Sequence, residues 1–394
     1  MVEHATRPTT DVIVNTASWL PLTERWIYTQ VAYLPSSIRS HVVCRSTRDA
    51  DQVPVPRLNS YDALTPGEKC RVLYRGGRRL GGHLRRRTAL IAHVAEQTGA
   101  GIVHSHFGYA GYMVASAVNR LGLRHIVTFY GVDMSALPQA DPRWHDRYSE
   151  LFGLADRVLC EGEHMAGCLA DLGCPAEKLR VHHLGVDTGA LEFRPRQRQP
   201  DEPLRVLMAA SFREKKGLTY GIRALALLAE RVPVELTLIG DAGSHPKSVA
   251  EKHRIEAVLA ETGLMDRTRL LGYQPYARLL KESDAHHVFL SPSVTASDGD
   301  TEGGAPVTLI EMAAIGIPIV SSRHADIPGV VEDGVGGLLA DEGDVKGLAA
   351  CLARFVDEPA LSWELTAAAR RHVEQSFDAS AQGRALAAVY SEFA

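Results

Sequence analysis

The chain has 394 residues, 45% hydrophobic and 23% charged, with 34 glycines and 20 prolines. That composition suits a soluble globular protein of two domains with many short loops, and it argues against disorder. A formal net charge of −4 excludes a global attraction to nucleic acid, and six scattered cysteines without a Cys-x-x-Cys pair point to a reduced compartment.

Met1–Asp11 is polar, without an apolar core of signal-peptide length, and no run reaches the roughly 18 apolar residues of a membrane span. A cytoplasmic location is therefore expected. Short β-branched runs then alternate with helical patterns, as in parallel sheets covered by helices. Strands are expected at Asp11–Thr16, Ser40–Arg45, Gly101–Phe107, His125–Tyr130, Arg157–Glu161 and Arg180–Leu184. The helix Ala110–Leu121 is followed by Gly122, a glycine suited to a left-handed turn after the last helical residue.

The stretch Thr188–Pro203, TGALEFRPRQRQPDEP, carries prolines and arginines with little apolar content and reads as the domain boundary. The expected organisation is a first domain over 1–190, a linker over 191–203, a second domain over 204–378, and a terminal helix over 379–394. In the second domain strands are expected at Leu204–Ala210, Val234–Ile239, Arg269–Gly272, His287–Leu290 and Ile317–Ser321. From Asp344 onward the pattern is helical, broken near Glu358–Pro359 and Ser376–Asp378.

The segment TEGGAPVTLIEMAAIGIPIVSS, Thr301–Ser322, carries the chemistry most visibly. Gly303 and Gly304 permit close backbone approach, Pro306 suits a helix start, and Gly316 ends that helix before a buried strand. Free amides and the helix dipole make such a start a ready phosphate site. Glu302 in the loop and Glu311 in the helix supply carboxylates, which accept hydrogen bonds from sugar hydroxyls. An isolated pair of this kind would be ordinary surface residues; its setting decides otherwise.

The segment resembles the retaining glycosyltransferases of family four, with the GT-B fold, and the resemblance covers nearly the whole chain. It implies an α/β architecture in which two Rossmann-like domains face a central cleft and the terminal helix crosses back to the first. In that family a Glu-x7-Glu motif holds the donor hexose with its first Glu and the ribose with its second. Glu302 and Glu311 look like this pair, although eight residues separate them here, and Asp300 is placed to share the role of Glu302. Gly303, Gly304, Ala305 and Thr308 are implied donor contacts at the helix start.

A second motif, AASFREKKG at Ala209–Gly217, resembles the family's Gly-Arg-x-x-x-Lys-Lys-Gly. Lys216 fits by position, Ser211 occupies the usual arginine position, and Arg213 takes the arginine role two residues later. Cations belong there because departure of the sugar leaves negative charge on a diphosphate. Arg213, Lys216 and Glu302 are accordingly the catalytic candidates. Gly240 and Asp241, in LIGDA, and Tyr273, in LLGY, resemble the turns that bind the nucleobase.

In the first half, VHSHF and VTFYGVD resemble the strand ends of family members that act in exopolysaccharide assembly. They give His106, Tyr130 and Asp133 as acceptor-side candidates, with Tyr130 where many relatives have His. Thr23 and Glu24, in SWLPLTER, join them, with Thr23 equally suited to cap a helix. His104 and His106 are expected to point apart, which argues against a shared metal. No metal or other cofactor is expected, because Arg213, Lys216 and the helix start can carry the charge.

Seven arginines between Arg71 and Arg87, interleaved with Leu73, Leu80 and Leu84, read either as a solvated helical face or as a peripheral contact with an anionic membrane. The expected partners are a nucleotide-sugar donor, with UDP favoured, and a saccharide or lipid-linked acceptor. Nucleic acid is not expected, since no aromatic stacking platform accompanies the arginines. Rival readings are a sugar-nucleotide epimerase or phosphorylase of similar architecture and a non-catalytic sugar-nucleotide binder. A dehydrogenase is disfavoured because no G-x-G-x-x-G follows the first strand.

Overall fold

A computed structural model describes residues 9–20, 24–48, 50–81 and 85–394. The chain divides into two compact units, Met1–Gly185 with Ala379–Ala394, and Val186–Asp378. Each is built on one parallel sheet whose central strands bury most of their residues, the pattern expected where helices cover both faces.

The first unit contains β1 (Thr10–Asn15), β2 (Ile38–Cys44), β3 (Leu58–Ser60), β4 (Ile102–His106), β5 (Arg124–Thr128), β6 (Arg157–Cys160) and β7 (Leu179–Val181). Their order is β3-β2-β1-β4-β5-β6-β7. Val12, Ile13, Val103, Val127 and Val158 are fully inaccessible to water, and burying side chains of this size contributes roughly 1.5–3 kcal/mol each. The helix after β4 runs Gly108–Arg120, and Gly122 follows at φ 70°, as its sequence foretells. Ser18–Trp19 and Ser46–Thr47 form a further short parallel pair.

The terminal helix Ala379–Ser391 belongs to this unit. Leu386, Ala387 and Tyr390 pack into one cluster with Val12, Ile102, Ile126 and Leu159. Gly383 lies so close to the Tyr33 carbonyl that a Cβ there would sit 2.0 Å from its oxygen.

The second unit contains β8 (Leu204–Ala209), β9 (Val234–Ile239), β10 (Thr268–Leu270), β11 (Val288–Ser291), β12 (Ile319–Ser322) and β13 (Leu338–Ala340). Their order is β10-β9-β8-β11-β12-β13. The expected linker packs on this unit instead of standing free. Leu191 is buried beside the helix Val307–Ile315, the Arg194 amide donates to the Ile315 carbonyl at 2.9 Å, and Arg196 pairs with Asp284 at 2.6 Å. The division accordingly falls at Gly185–Val186, and the stretch rich in proline and arginine packs within the second unit. β3 and β13, of three residues each, were not among the expected strands, whereas β7 and β10, equally short, were.

Candidate active site

In a doubly wound sheet a ligand crevice opens outside the carboxyl ends of the strands, where the order reverses. In the second unit that point lies between β8 and β11, the strands whose following loops carry both motifs. The loop after β8 enters a tight turn, Glu214–Lys216, closed by Gly217 at φ 62°. A Cβ on Gly217 would lie 1.8 Å from the Pro292 carbonyl oxygen, so glycine is what lets the basic turn meet the loop after β11.

The two loops are joined by charge. Arg213 donates to Asp300 at 2.7 Å, Lys215 to Asp300 at 3.1 Å and to the Thr301 carbonyl at 2.7 Å, and Lys216 to Glu302 at 2.8 Å. Ser293 adds a hydrogen bond to the other Glu302 oxygen, also at 2.8 Å. Three cations thus face Asp300 and Glu302, while Glu214 of the same turn accepts from the Ser297 amide and hydroxyl at 3.1 and 2.7 Å. Burial alone would raise the Glu302 carboxyl, but the charges of Lys216 and Lys215, with hydrogen bonds from Lys216 and Ser293, hold it down to about 2. Burial pushes the Lys215 ammonium down, against the attraction of Glu302 and Asp300.

Lys215 was not singled out from sequence, yet its side chain is only 8% exposed whereas that of Arg213 is 47% exposed. The doubled lysine was the available signal. Lys215 anchors the loop, and Arg213 and Lys216 stand nearer to solvent.

Gly303, at φ 77°, and Gly304 lead into the helix Val307–Ile315, with Pro306 at its N-cap and Gly316 at φ 83° closing it. Ala305 packs on the core, Thr308 lies in the first helical turn and Glu311 in the second, both partly buried. On the other side of β8, Gly240 at φ 130° donates to the Gly272 carbonyl at 2.9 Å. A Cβ on Gly240 would lie 1.8 Å from the Ala210 carbonyl oxygen, beside Ser211. Asp241 pairs with Lys252 at 2.7 Å. Tyr273 is 53% exposed, and its hydroxyl is raised by burial and by the charge of Asp241, with Arg213 opposing.

In the first unit the order reverses between β1 and β4, which Asn15 and Ser105 tie together at 2.8 Å. His106 ends β4, and its Nδ1 lies 2.8 Å from the Tyr130 hydroxyl, to which Gln30 donates at 3.2 Å. Burial, with His182 nearby, lowers His106 to about 3, so the imidazole is neutral. The expectation that His104 and His106 diverge is corrected: residues two apart on a strand share a face, and the rings lie 4.4 Å apart. His104 spends both nitrogens on Tyr390 and Thr128, at 2.8 and 2.7 Å. Among the described residues no group of three metal-ligating side chains occurs.

Asp133 is fully buried, and its oxygens accept from the Tyr109 amide at 3.1 Å, the Tyr130 amide at 3.0 Å and the Tyr148 hydroxyl at 3.3 Å. It therefore positions the Tyr130 turn rather than reaching toward an acceptor. Burial raises its carboxyl to about 6 despite these donors. Phe107, between His106 and the following helix, has φ 72°, strain of the kind that collects at functional sites. Glu24 precedes the helix Arg25–Ala32 without capping it through its side chain, and burial raises it to about 7 against the pull of Arg48. Thr23 lies outside the described residues.

The arginines at 71–79 lie on the helix Pro66–Leu80, started by a capping box between Thr65 and Glu68, and Arg86 and Arg87 open the next helix, Arg86–Thr98. Arg71, Arg75, Arg78 and Arg79 are exposed, as are Arg85 and Arg86, while Arg87 is partly buried. The interleaved leucines do not present an apolar face outward: Leu80 is fully buried and Leu73 packs on the core. Leu84 lies outside the described residues. No helix among the described residues is long and apolar enough to cross a membrane.

Two Rossmann-like units, one with a cation-rich turn facing a glycine loop and helix start at its switch point, define the GT-B class of glycosyltransferase. The structure is similar over 98% of its length to HepE of Anabaena in its UDP-glucose complex, with a TM-score of 0.78 at 16% identity, covering 100% of that chain. It is also similar to sucrose-phosphate synthase of Thermosynechococcus elongatus, with a TM-score of 0.75 at 19% identity over 97% of this chain and 98% of that one.

The pattern described as Glycosyltransferase Family 4 matches residues 23–190, and that described as Glycosyl transferases group 1 matches residues 190–372. The amylovoran biosynthesis glycosyltransferase AmsK of Erwinia amylovora is 33% identical over 310 residues, 78% of this chain and 74% of the relative. WcaL of Escherichia coli (strain K12), named for colanic acid biosynthesis, is 33% identical over 77% of this chain and 73% of its own length. The chain belongs to the family-four glycosyltransferases.

Proposed function

We propose that this enzyme transfers a hexose from UDP to a hydroxyl of a saccharide or lipid-linked acceptor, with retention of configuration, during assembly of an exopolysaccharide. The carrying observation is the meeting of Arg213, Lys215 and Lys216 with Asp300 and Glu302 ahead of the helix Val307–Ile315. AmsK and WcaL, named for amylovoran and colanic acid biosynthesis, support the polymer class, and HepE, solved with UDP-glucose, supports the donor.

In this reading the diphosphate lies between the basic turn and the helix start. Lys216 has three donor hydrogens and spends one on Glu302, leaving others for phosphate oxygens. Arg213 and Lys216 stabilise charge as the sugar departs, Glu302 holds the hexose, and Glu311 holds the ribose. A diphosphate oxygen takes the acceptor proton on the departing face, giving retention. These cations fill the role of a divalent metal, so transfer persists in a chelator. His106, Tyr130 and Glu24 serve the acceptor side. The exposed arginines of Arg71–Arg87 hold a cytoplasmic enzyme electrostatically at an anionic membrane.

A thermal-shift screen of nucleotide sugars tests the reading, because a ligand at 100 times its Kd adds roughly 2.7 kcal/mol of stability. UDP-hexose is expected to shift the wild type and to shift Glu311→Ala far less. Transfer to an added acceptor separates a transferase from an epimerase. Absence of any shift, or a tight complex that never turns over across a broad acceptor panel, refutes it.

A further inference from the structure

The Glu302 carboxylate is gripped by Lys216 and Ser293, but its backbone is gripped by a different residue. The Glu302 amide donates to Nε2 of His324 at 3.1 Å, and Nδ1 of the same ring lies 2.6 Å from the Glu342 carboxylate. The other Glu342 oxygen accepts from the Thr295 amide at 2.7 Å. His324 follows β12, Glu342 follows β13, and Thr295 and Glu302 flank the long loop after β11.

The proton positions follow from the partners. An amide N–H points at Nε2, so Nε2 presents its lone pair and Nδ1 carries the hydrogen donated to Glu342. The relay therefore closes both arms of one loop through a single imidazole that is 2% exposed.

The backbone beside the ring is strained to keep it there. Ala325 sits at φ 46°, a conformation that costs a residue with a Cβ and persists where its surroundings enforce it. Ser322, just before the ring, donates to the Ser293 carbonyl, and Ser293 in turn holds Glu302.

We infer that His324, backed by Glu342, is a positioning residue that sets the height of Glu302 against the donor sugar. Both its ring nitrogens are spent on the Glu302 amide and Glu342, so it acts through Glu302, and its effect is specific to the sugar half of the donor. The inference rests on the proposed role of Glu302 as the sugar-holding carboxylate.

His324→Phe removes both ring contacts, whereas His324→Gln places an amide oxygen close to where Nε2 accepts. Two measurements are compared: hydrogen exchange of the Glu302 amide in the ligand-free protein, and the ratio of Kd for UDP to Kd for UDP-glucose. In the Phe variant the amide is expected to exchange faster, and the ratio to fall about tenfold, the scale of one well-placed hydrogen bond. Affinity for UDP alone is expected to change little. The Gln variant is expected to recover most of both readouts, which a general loss of packing would not do.

Should His324→Phe fail to fold, Glu342→Gln carries the comparison, because it sets an amide donor against either the Thr295 amide or the ring N–H. Equal weakening toward both ligands, an unchanged ratio, or Gln and Phe variants that behave alike overturns the inference while leaving the transferase reading standing. A wild type that binds neither ligand overturns both.

Discussion

Lys216 donates to the Glu302 carboxylate across 2.8 Å, with the two side chains only 18% and 7% exposed. A carboxylate in that position depends on its cation. Lys216→Ala is expected to cost about 1–3 kcal/mol of stability, because the buried Glu302 carboxylate loses its hydrogen-bonded cation and keeps only Ser293 and the more distant charge of Lys215. The double variant Lys216→Met/Glu302→Gln should recover much of that loss in urea denaturation yet remain without turnover. An active single Lys216 variant would remove this lysine from the mechanism.

The same pair predicts an acid response. Glu302 is held at about 2 in the folded chain against 4.5 as its ordinary value. A depressed carboxyl contributes stability fully above its unfolded value, and the contribution is lost as pH falls through the folded one. The stability gap between wild type and Glu302→Gln should therefore be full above about pH 4.5 and close toward pH 2. A gap independent of pH across that window contradicts the ion pair.

Arg213 and Lys215 share Asp300 but differ in solvent access, at 47% and 8% exposure. Arg213→Ala should alter stability by less than about 1 kcal/mol, as exposed pairs do. It should nevertheless weaken UDP binding about tenfold, since charge-assisted hydrogen bonds contribute roughly 1.5–3 kcal/mol. Lys215→Ala should do the reverse, lowering the urea midpoint strongly because Asp300 loses its buried counter-ion. Calorimetric titration with UDP beside denaturation separates the two roles.

These contrasts mark what the sequence made legible. The alternation of apolar runs and the glycines at 122 and 316 were local signals, so most strands of both sheets and two helix ends could be read. The acidic loop and the basic turn were legible too, because charge and glycine stood together in each. Which of two adjacent lysines turns inward was not, since that depends on the register of the tight turn Glu214–Lys216 against a loop about 85 residues away. His324 was silent for the same reason: its partners lie 22 and 18 residues distant on other loops. Asp133 was visible as a carboxylate near the site, but its use as a cap for two amides exists only once the turn is folded.

That cap can be tested directly. Asp133→Ala strips acceptors from the Tyr109 and Tyr130 amides and from the Tyr148 hydroxyl. Leaving buried donors unsatisfied costs about 1–3 kcal/mol each, so the Tm should fall by several degrees, with KM for the acceptor raised and Kd for UDP unchanged. Should the acceptor KM stay put while the protein is merely less stable, the Tyr130 turn has no acceptor role.

Glu24 offers the opposite pH sign to Glu302. Burial raises its carboxyl to about 7 from 4.5, with Arg48 only partly opposing. A raised carboxyl favours the folded state while protonated, and that advantage is lost as pH rises through the folded value. Glu24→Gln, which keeps the shape and removes the charge, should therefore leave stability unchanged near pH 4 and raise it above pH 7. A gain of about 1 kcal/mol corresponds to roughly 2–4 °C in Tm for a domain of this size. Differential scanning fluorimetry at pH 4 and pH 8 reads the comparison. An acceptor-side carboxylate that titrates near neutrality should also make acceptor KM pH-dependent in the wild type but not in Glu24→Gln. Parallel KM profiles for the two proteins exclude Glu24 from acceptor binding even if the stability difference appears.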